Sequence, residues 1–173
     1  MDASFAWLTT QVEVRLGSLS AAECGMHAPS SGWSRQEVVE HLLLTYGETL
    51  ALVEKYCARE RATGRRSSLR EHIVRRVVLG LGWMPRGVQA PVFVRPQSVL
   101  PEAGGRELCN RFRERLLQLD IGLTRGEAVF GDRVFAPHFM LGPMTARQWR
   151  RFHFVHGRHH LGQLDRITRA LRG

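Results

Sequence analysis

The sequence predicts an all-α protein, a four-helix bundle with a long irregular connection between its second and third helices. Four long stretches place apolar residues every three or four positions, the spacing of a helix with one buried face. Two of these stretches begin with a helix-capping sequence. Apart from Val92–Val94, no stretch alternates apolar and polar residues as a half-buried strand does. We expect residues 1–173 to form a single domain.

The first predicted helix spans residues 2–19, and the second begins at Ser34. One apolar stripe marks the first helix: Phe5, Leu8, Val12, Leu16 and Leu19. A loop rich in Gly, Pro and Ser follows through residues 25–32. Ser34 and Glu37 then form a capping box, in which each side chain accepts a hydrogen bond from the other residue's backbone N–H. The long amphipathic helix that begins there is expected to end near Gly64.

Two further long helices are predicted in the second half of the chain. A basic segment (residues 59–76) is expected to contain a short amphipathic helix with Leu69, Ile73, Val77 and Val78 as its apolar side chains. A Gly- and Pro-rich connection follows over residues 80–105. The third long helix, residues 106–124, has the stripe Leu108, Phe112, Leu116, Leu119 and Leu123. The final helix, residues 145–171, opens with a second capping box of Thr and Gln.

The composition excludes several classes of protein. The longest uninterrupted apolar stretch, residues 77–84, is far shorter than the roughly 20 residues of a membrane-spanning helix, so we expect no membrane association. The N-terminus lacks the basic flank and apolar core of a secretory signal. Cys24, Cys57 and Cys109 are isolated, which argues against a disulfide framework and a cysteine zinc site. We therefore expect a cytoplasmic protein.

The net charge of +9 comes almost entirely from arginine, because Lys55 is the only lysine. Arginine binds phosphate in a bidentate manner, so a basic nucleic-acid-binding module is one interpretation. Its strongest support is the arginine cluster of the basic segment: Arg59, Arg61, Arg65, Arg66, Arg70, Arg75 and Arg76. No recognition-helix or aromatic RNA-binding pattern accompanies that cluster. A solvated surface explains the charge better, and nucleic acid is an unlikely partner.

Histidines are the more informative residues, since five of the eight follow position 137. In a helix, His156 and His160 lie about 40° apart around the axis and about 6 Å apart along it. Neutral imidazoles in this arrangement can bind one divalent metal ion. Pairing of His153 with His156, or of His156 with His159, offers alternatives at a spacing of three residues.

A third ligand is needed for a strong site, and His41 in the second predicted helix is the candidate. A lone histidine among apolar neighbours is more often a hydrogen-bonded core residue than a metal ligand. His41 together with the pair on the last helix nevertheless makes a set of three nitrogens. Three protein ligands leave positions for water or substrate, as in catalytic metal sites.

Several short motifs in the chain resemble one known family. They are Trp33-Ser34 followed by Val38-Val-Glu-His41-Leu, Pro91 in the connection, Pro137-His-Phe-Met-Leu-Gly-Pro-Met-Thr145 with Gln148-Trp149, and His156-x2-His159-His160-Leu-x-Gln163. Together they resemble the DinB/YfiT-like superfamily of metalloenzymes, and most closely its DUF1569 branch, over roughly residues 5–170.

The resemblance implies a four-helix bundle with up-down-down-up topology, often a homodimer. It also implies a divalent metal ion held by His41, His156 and His160, with water completing the shell. Members bind zinc, nickel or iron, among which three imidazoles do not select. Relatives include transferases and isomerases that use low-molecular-weight thiols, although many members have no assigned activity.

We therefore expect a divalent-metal-dependent enzyme, a thiol-dependent S-transferase or hydrolase, that acts on a small-molecule substrate. The alternative is a metal-binding helical bundle without catalysis. Arginines of the basic segment are candidates to hold an acidic thiol or a substrate carboxylate. Candidates to orient the imidazoles or line the site are Glu40, Glu48, His138, His159 and Gln163. Trp33, Trp83 and Trp149 are expected to pack in the core or in a lid, and Gly157 and Gly162 to allow close packing at the site.

Overall fold

The computed structural model describes residues 1–29, 32–85, 87–97 and 101–173. The part of the chain so described is mostly helical, with one small antiparallel hairpin. Its elements are α1 (Ala3–Leu16), α2 (Ala21–Gly25), α3 (Arg35–Arg59), α4 (Leu69–Arg75), α5 (Gly105–Phe130), β1 (Ala136–His138), β2 (Gly142–Met144) and α6 (Ala146–Arg172). Parts of the predicted loop and connection, namely Ser30, Ser31, Arg86 and residues 98–100, lie outside the described residues.

The four long helices α1, α3, α5 and α6 pack around one apolar core. Helix α5 contacts the other three, and α6 also contacts α1 and α3. Four of the five residues predicted for the first apolar stripe are buried, and Leu19 packs against them. All five residues of the stripe predicted for α5 are buried as well. The helical periodicity in the sequence therefore identified the core correctly. None of the helices in the described ranges is apolar over enough of its length to cross a lipid bilayer.

Both predicted capping boxes are present. At the start of α3, the Ser34 hydroxyl accepts from the backbone N–H of Glu37 at 3.2 Å, and the Glu37 carboxylate accepts from Ser34 N–H at 2.7 Å. Thr145 and Gln148 form the same pair of hydrogen bonds before α6. Each box pairs backbone N–H groups at a helix start that would otherwise lack partners.

Helix α5 is longer than predicted and ends at Phe130 rather than at residue 124. The prediction stopped early because of Gly126. In the structure Gly126 continues the helix and faces Phe135, where an added Cβ would lie 3.2 Å from the ring. The helix ends instead before Gly131, whose φ of +57° favours glycine.

The hairpin of β1 and β2 was not predicted. Each strand has three residues, and Pro137 pairs with Pro143 across the ladder, so neither strand shows an alternating pattern. The Arg75 guanidinium donates to the carbonyl oxygens of Leu141 and Pro143, which ties α4 to the hairpin. Val92–Val94, the only stretch with a suggestion of alternation, forms a 3-10 turn instead of a strand.

The short helix predicted in the basic segment is present as α4, but Leu69 and Ile73 of its apolar stripe are not buried. They are 77% and 57% exposed, whereas Val78, in the π-helical turn that follows α4, is buried. Helix α4 contacts β2, where Arg75 makes polar contacts, so the face that carries Leu69 and Ile73 remains in solvent.

Candidate metal centre

His41 of α3 and His156 and His160 of α6 converge at the contact between the two helices. The Nε2 atom of His156 lies 3.3 Å from Nε2 of His41 and 3.0 Å from Nε2 of His160. One ring nitrogen from each of the three lies within 4.8 Å of the other two, and all three side chains are buried. Tertiary packing thus brings His41 to two histidines that lie more than a hundred residues later in the sequence.

The outer nitrogens of two of these rings are held by oxygen acceptors. His41 Nδ1 lies 2.7 Å from the carbonyl oxygen of Val94, and His160 Nδ1 lies 2.8 Å from Oε1 of Gln163. Because both oxygens only accept, each Nδ1 carries the hydrogen of a neutral ring. The Nε2 atoms of His41 and His160 therefore direct lone pairs toward His156. Hydrogen bonds of this kind to the outer ring nitrogen orient the imidazoles in metal sites.

Burial keeps the three imidazoles neutral near neutral pH. Loss of solvent lowers the pKa of His41 and lowers the pKa of His160 to about 3. Burial, together with the neighbouring histidines, also places the pKa of His156 well below its ordinary value. Neutral imidazole is the protonation state that binds a metal ion.

Aromatic side chains enclose the cluster. The Trp33 ring lies 5.1 Å from the ring of His41 and stacks at 6.4 Å on His160. Phe152 stacks on His156 at 5.5 Å with nearly parallel planes. The prediction of a packing role for Trp33 is thus sharpened, because it packs on two of the clustered histidines. Trp149 is buried, whereas Trp83 is 58% exposed and so does not pack in the core.

A cavity of about 960 Å³ opens onto the three histidines. Its volume lies near the upper end of typical small-molecule sites. The walls come from α3, from α6, from β1 and the turn after it, and from residues 84, 85, 87–91 and 93–95 of the connection. The sequence predicted the cluster but not the cavity, because the connection that covers it has no regular pattern.

The other candidate residues take different positions. Gln163 contacts His160 as expected, and Glu48, His138 and His159 line the cavity. The hydrogen bond of Glu40 is instead to the backbone N–H of Gln97, at 3.2 Å. The other carboxylate oxygen of Glu40, Oε2, is buried without a hydrogen-bond partner, so among the described residues Glu40 forms no hydrogen bond with an imidazole.

The alternative in which His153 and His156 bind one metal ion together is not supported either. His153 is fully buried with its Nε2 3.1 Å from the Thr49 hydroxyl, and its ring packs 5.3 Å from Tyr46. Within the described ranges, the group of three or more side chains able to share an ion consists of His41, His156 and His160.

Arginines of the basic segment do not line the cavity within the part of the chain that the structure describes. Its basic lining residues are Lys55, Arg95 and Arg166. In the basic segment, Arg65 forms an ion pair with Glu71, and Arg75 holds the hairpin. The expectation that this segment supplies the anion-binding arginines is wrong for the described residues, because none of its arginines lines the cavity.

The two glycines of α6 differ in their surroundings. A Cβ at Gly157 would lie 2.8 Å from a methyl group of Leu8, so this glycine allows α1 to approach α6. The close packing expected there is present, but against α1. A Cβ at Gly162 would meet no atom closer than 3.5 Å, so packing does not explain this glycine.

One contact to the cluster comes from the backbone and has no signature in the sequence. The Val94 carbonyl oxygen belongs to the 3-10 turn Val92–Val94, which packs on α3. Any residue at position 94 carries the same acceptor. The nearest signal was Pro91, the motif residue that precedes this turn.

The fold and site define a helical protein with a buried cluster of three histidines beside a cavity. Residues 116–167 match a family model described as a protein of unknown function, DUF1569. The match includes His156 and His160 but begins well after His41. No curated protein and no solved structure matches the chain.

Proposed function

We propose that the chain binds a divalent metal ion through the Nε2 atoms of His41, His156 and His160. The observation that carries the proposal is the convergence of three neutral imidazoles whose inner nitrogens face one another. Zn–N bonds of about 2.0–2.1 Å at tetrahedral angles place two nitrogens about 3.3 Å apart. The separations of His156 from His41 and His160, 3.3 and 3.0 Å, are close to this value, and the third separation, between His41 and His160, is within 4.8 Å.

The cluster without a cation has an unfavourable electrostatic arrangement. His41 and His160 both direct lone pairs inward, and His156 as a neutral ring has one hydrogen with which to satisfy them. At least one lone pair then lacks a donor, and buried unsatisfied polar atoms are costly. One metal ion accepts all three lone pairs, so the donor set fits zinc, nickel or iron.

We further propose that the protein is a metal-dependent enzyme of the thiol-dependent S-transferase or hydrolase class. A divalent ion in such a site lowers the pKa of bound water or stabilises a substrate thiolate. The cavity admits a small molecule to the histidines, and its apolar walls reduce the water around it.

The positions of the cysteines favour a low-molecular-weight thiol, rather than a cysteine of the protein, as the nucleophile. Cys24, Cys57 and Cys109 are all buried and none lines the cavity. Burial raises the pKa of the Cys109 thiol to about 11 and also raises the pKa of Cys24 and Cys57. A protonated, buried thiol is a poor nucleophile, so a low-molecular-weight thiol is the cofactor we propose.

A metal-binding bundle without catalysis is the second candidate. It is favoured by the placement of the ligands on both α3 and α6, since one ion then joins two helices of the core. Turnover of an electrophile such as 1-chloro-2,4-dinitrobenzene with glutathione, or of p-nitrophenyl acetate, distinguishes the two candidates. Loss of turnover with the metal supports the enzyme, and absence of turnover in metal-loaded protein supports the second candidate.

The DUF1569 match also supports a wider proposal about architecture. We propose a single domain with the up-down-down-up four-helix topology of the DinB/YfiT-like superfamily, assembled as a homodimer in the cytoplasm. The packing of α1, α3, α5 and α6 around one core supports the bundle. Light scattering tests the dimer, and a monomer mass at micromolar concentration would exclude it.

Elemental analysis of protein prepared without an affinity tag tests the metal site. We expect about one divalent ion per chain in the wild type and its loss in the His156→Ala, His160→Ala double variant. His27→Ala is the matched control, because His27 is exposed and remote from the cluster in the sequence. Full occupancy in the double variant would exclude the assigned ligands.

A further inference from the structure

The cavity extends well beyond the histidines along one face of α3. The lining residues of this helix include His41, Thr45, Thr49, Leu52 and Lys55. Their spacing of three and four residues places them on one stripe of the helix. At 1.5 Å per residue, the stripe from His41 to Lys55 is about 21 Å long. The cavity is therefore an elongated channel with the histidines and the lysine well separated along it.

The contacts between α3 and α6 give the direction of this channel. His41 lies against His160, whereas Thr49 lies against His153, so the two helices run antiparallel beside it. Arg166, later on α6, is consequently beyond the histidines from Lys55. Arg95 donates to the Ala90 carbonyl and to Gln89 within the connection. Among the described lining residues, Lys55 is thus the cation at the end of the channel remote from the histidines, and Glu48 is the acidic residue between them on α3.

The connection and the turn after β1 add apolar side chains to the cavity wall that are not part of the core. Phe93 and Phe139 line the cavity, yet they are 59% and 61% exposed. Val88 and Met140 also combine cavity lining with exposure. Large exposed apolar residues grouped around one opening mark a binding surface.

Lys55 has a distinct chemical position in this protein. It is the only lysine among 25 basic residues, and it is exposed at the remote end of the apolar channel. No ion pair or hydrogen bond of Lys55 is present among the residues that the structure describes. Its ammonium group is available to an anionic group of a ligand that occupies the channel.

We propose that the channel binds an elongated amphipathic anion, with an apolar body along Leu52 and Phe93 and a terminal anionic group at Lys55. The opposite end of the ligand then reaches His41, His156 and His160. The part of this inference that concerns reaction at that end rests on the proposed metal centre. The binding of the apolar body and of the anionic group is independent of that centre.

Isothermal titration calorimetry with decanesulfonate, hexanesulfonate, decan-1-ol and decyltrimethylammonium tests the ligand class. Sulfonates are chosen because they bind transition metals weakly, so their affinity reports on the channel and Lys55. We expect Kd to rise about fourfold for each methylene removed from the buried chain. Decanesulfonate should bind more tightly than decan-1-ol, and the ammonium compound most weakly. Equal affinity for the ten- and six-carbon sulfonates, or preference for the ammonium compound, would overturn the proposal.

Substitutions at Lys55 and Leu52 test where the anionic group and the apolar body of the ligand bind. Lys55→Gln should weaken decanesulfonate about two- to fivefold, as expected for an exposed ion pair, and leave decan-1-ol unchanged. Arg106→Gln, which removes one exposed charge on α5, is the control and should change neither Kd. Leu52→Asn, which adds a polar side chain but no charge that could itself bind the sulfonate, should weaken both ligands at least tenfold while metal content stays at the wild-type value. Wild-type affinity for decanesulfonate in Leu52→Asn would contradict the assigned channel.

The same titrations separate this inference from the proposed metal centre. Decanesulfonate binding that persists in the metal-free His156→Ala, His160→Ala variant supports the channel independently. If metal binding is retained but no probe binds, the inference fails and the metal centre stands. If the apolar opening is instead covered by a second copy, the probes fail to bind and Phe139→Ser dissociates a dimer, which also overturns the proposal.

Discussion

The carbonyl oxygen of Val94 lies 2.7 Å from Nδ1 of His41, so a turn of the irregular connection holds a side chain of α3. This hydrogen bond fixes the hydrogen of the ring on Nδ1 and leaves Nε2 for the cluster. The connection also forms part of the cavity wall beside the same histidine. One segment therefore shapes both the imidazole orientation and the access route.

Metal removal should lower the thermal stability of the protein. A ligand at a hundred times its Kd stabilises the folded state by about 2.7 kcal/mol, which corresponds to about 5–10 °C in Tm for a chain of this size. Calorimetric scans before and after chelation measure the shift, and added zinc should restore it. The His156→Ala, His160→Ala variant should show no response to chelator, and an equal response there would contradict the assigned ligands.

Gln163→Ala should weaken metal binding by about 10–100-fold, because it removes the acceptor that orients His160. Competition with a chromogenic chelator measures the affinity. Gln118→Ala, at an exposed glutamine of α5, is the matched control and should leave the affinity unchanged. Equal metal affinity of Gln163→Ala and wild type would show that this hydrogen bond does not support the site.

The metal-free protein should lose stability as the pH falls below about 6.5. Burial lowers the pKa of His153 to about 3, whereas in the unfolded chain it is about 6.5. Between these values the unfolded state binds a proton that the folded state does not, so acid favours unfolding. The contribution of this histidine at pH 4.5 is about 2–3 kcal/mol.

Urea unfolding of His153→Gln in the presence of chelator measures this contribution. The free energy of unfolding should fall less between pH 6.5 and pH 4.5 in the variant than in the wild type. The difference isolates His153, because the other histidines are common to both proteins. Identical slopes would contradict a neutral, buried His153.

Arg75→Ala should destabilise the fold by about 2 kcal/mol, because the guanidinium donates to two carbonyl oxygens of the hairpin. Arg70→Ala removes an exposed arginine from the same helix and should stay within about 0.5 kcal/mol of wild type. Denaturant unfolding compares them. A loss for Arg70→Ala as large as that for Arg75→Ala would indicate an effect of charge rather than of these hydrogen bonds.

Local patterns made the helices and half of the site predictable. The capping boxes at Ser34 and Thr145 depend on contacts three residues apart, and the apolar stripes depend on the helical repeat. His156 and His160 are likewise one helical turn apart, so their proximity follows from their spacing. His41 was a candidate on chemistry alone, and the packing of α3 on α6 brought it to the pair.

By itself the sequence determined where the long helices begin, which residues form their core and that two histidines share a helix face. The tertiary structure decided the features that depend on distant backbone. These are the Val94 carbonyl on His41, the hairpin held by Arg75 and the channel that ends at Lys55. The physical reason is that side-chain periodicity and capping act within one or two helical turns. A carbonyl acceptor is the same at every residue, so only the packing of the chain decides which one meets a histidine.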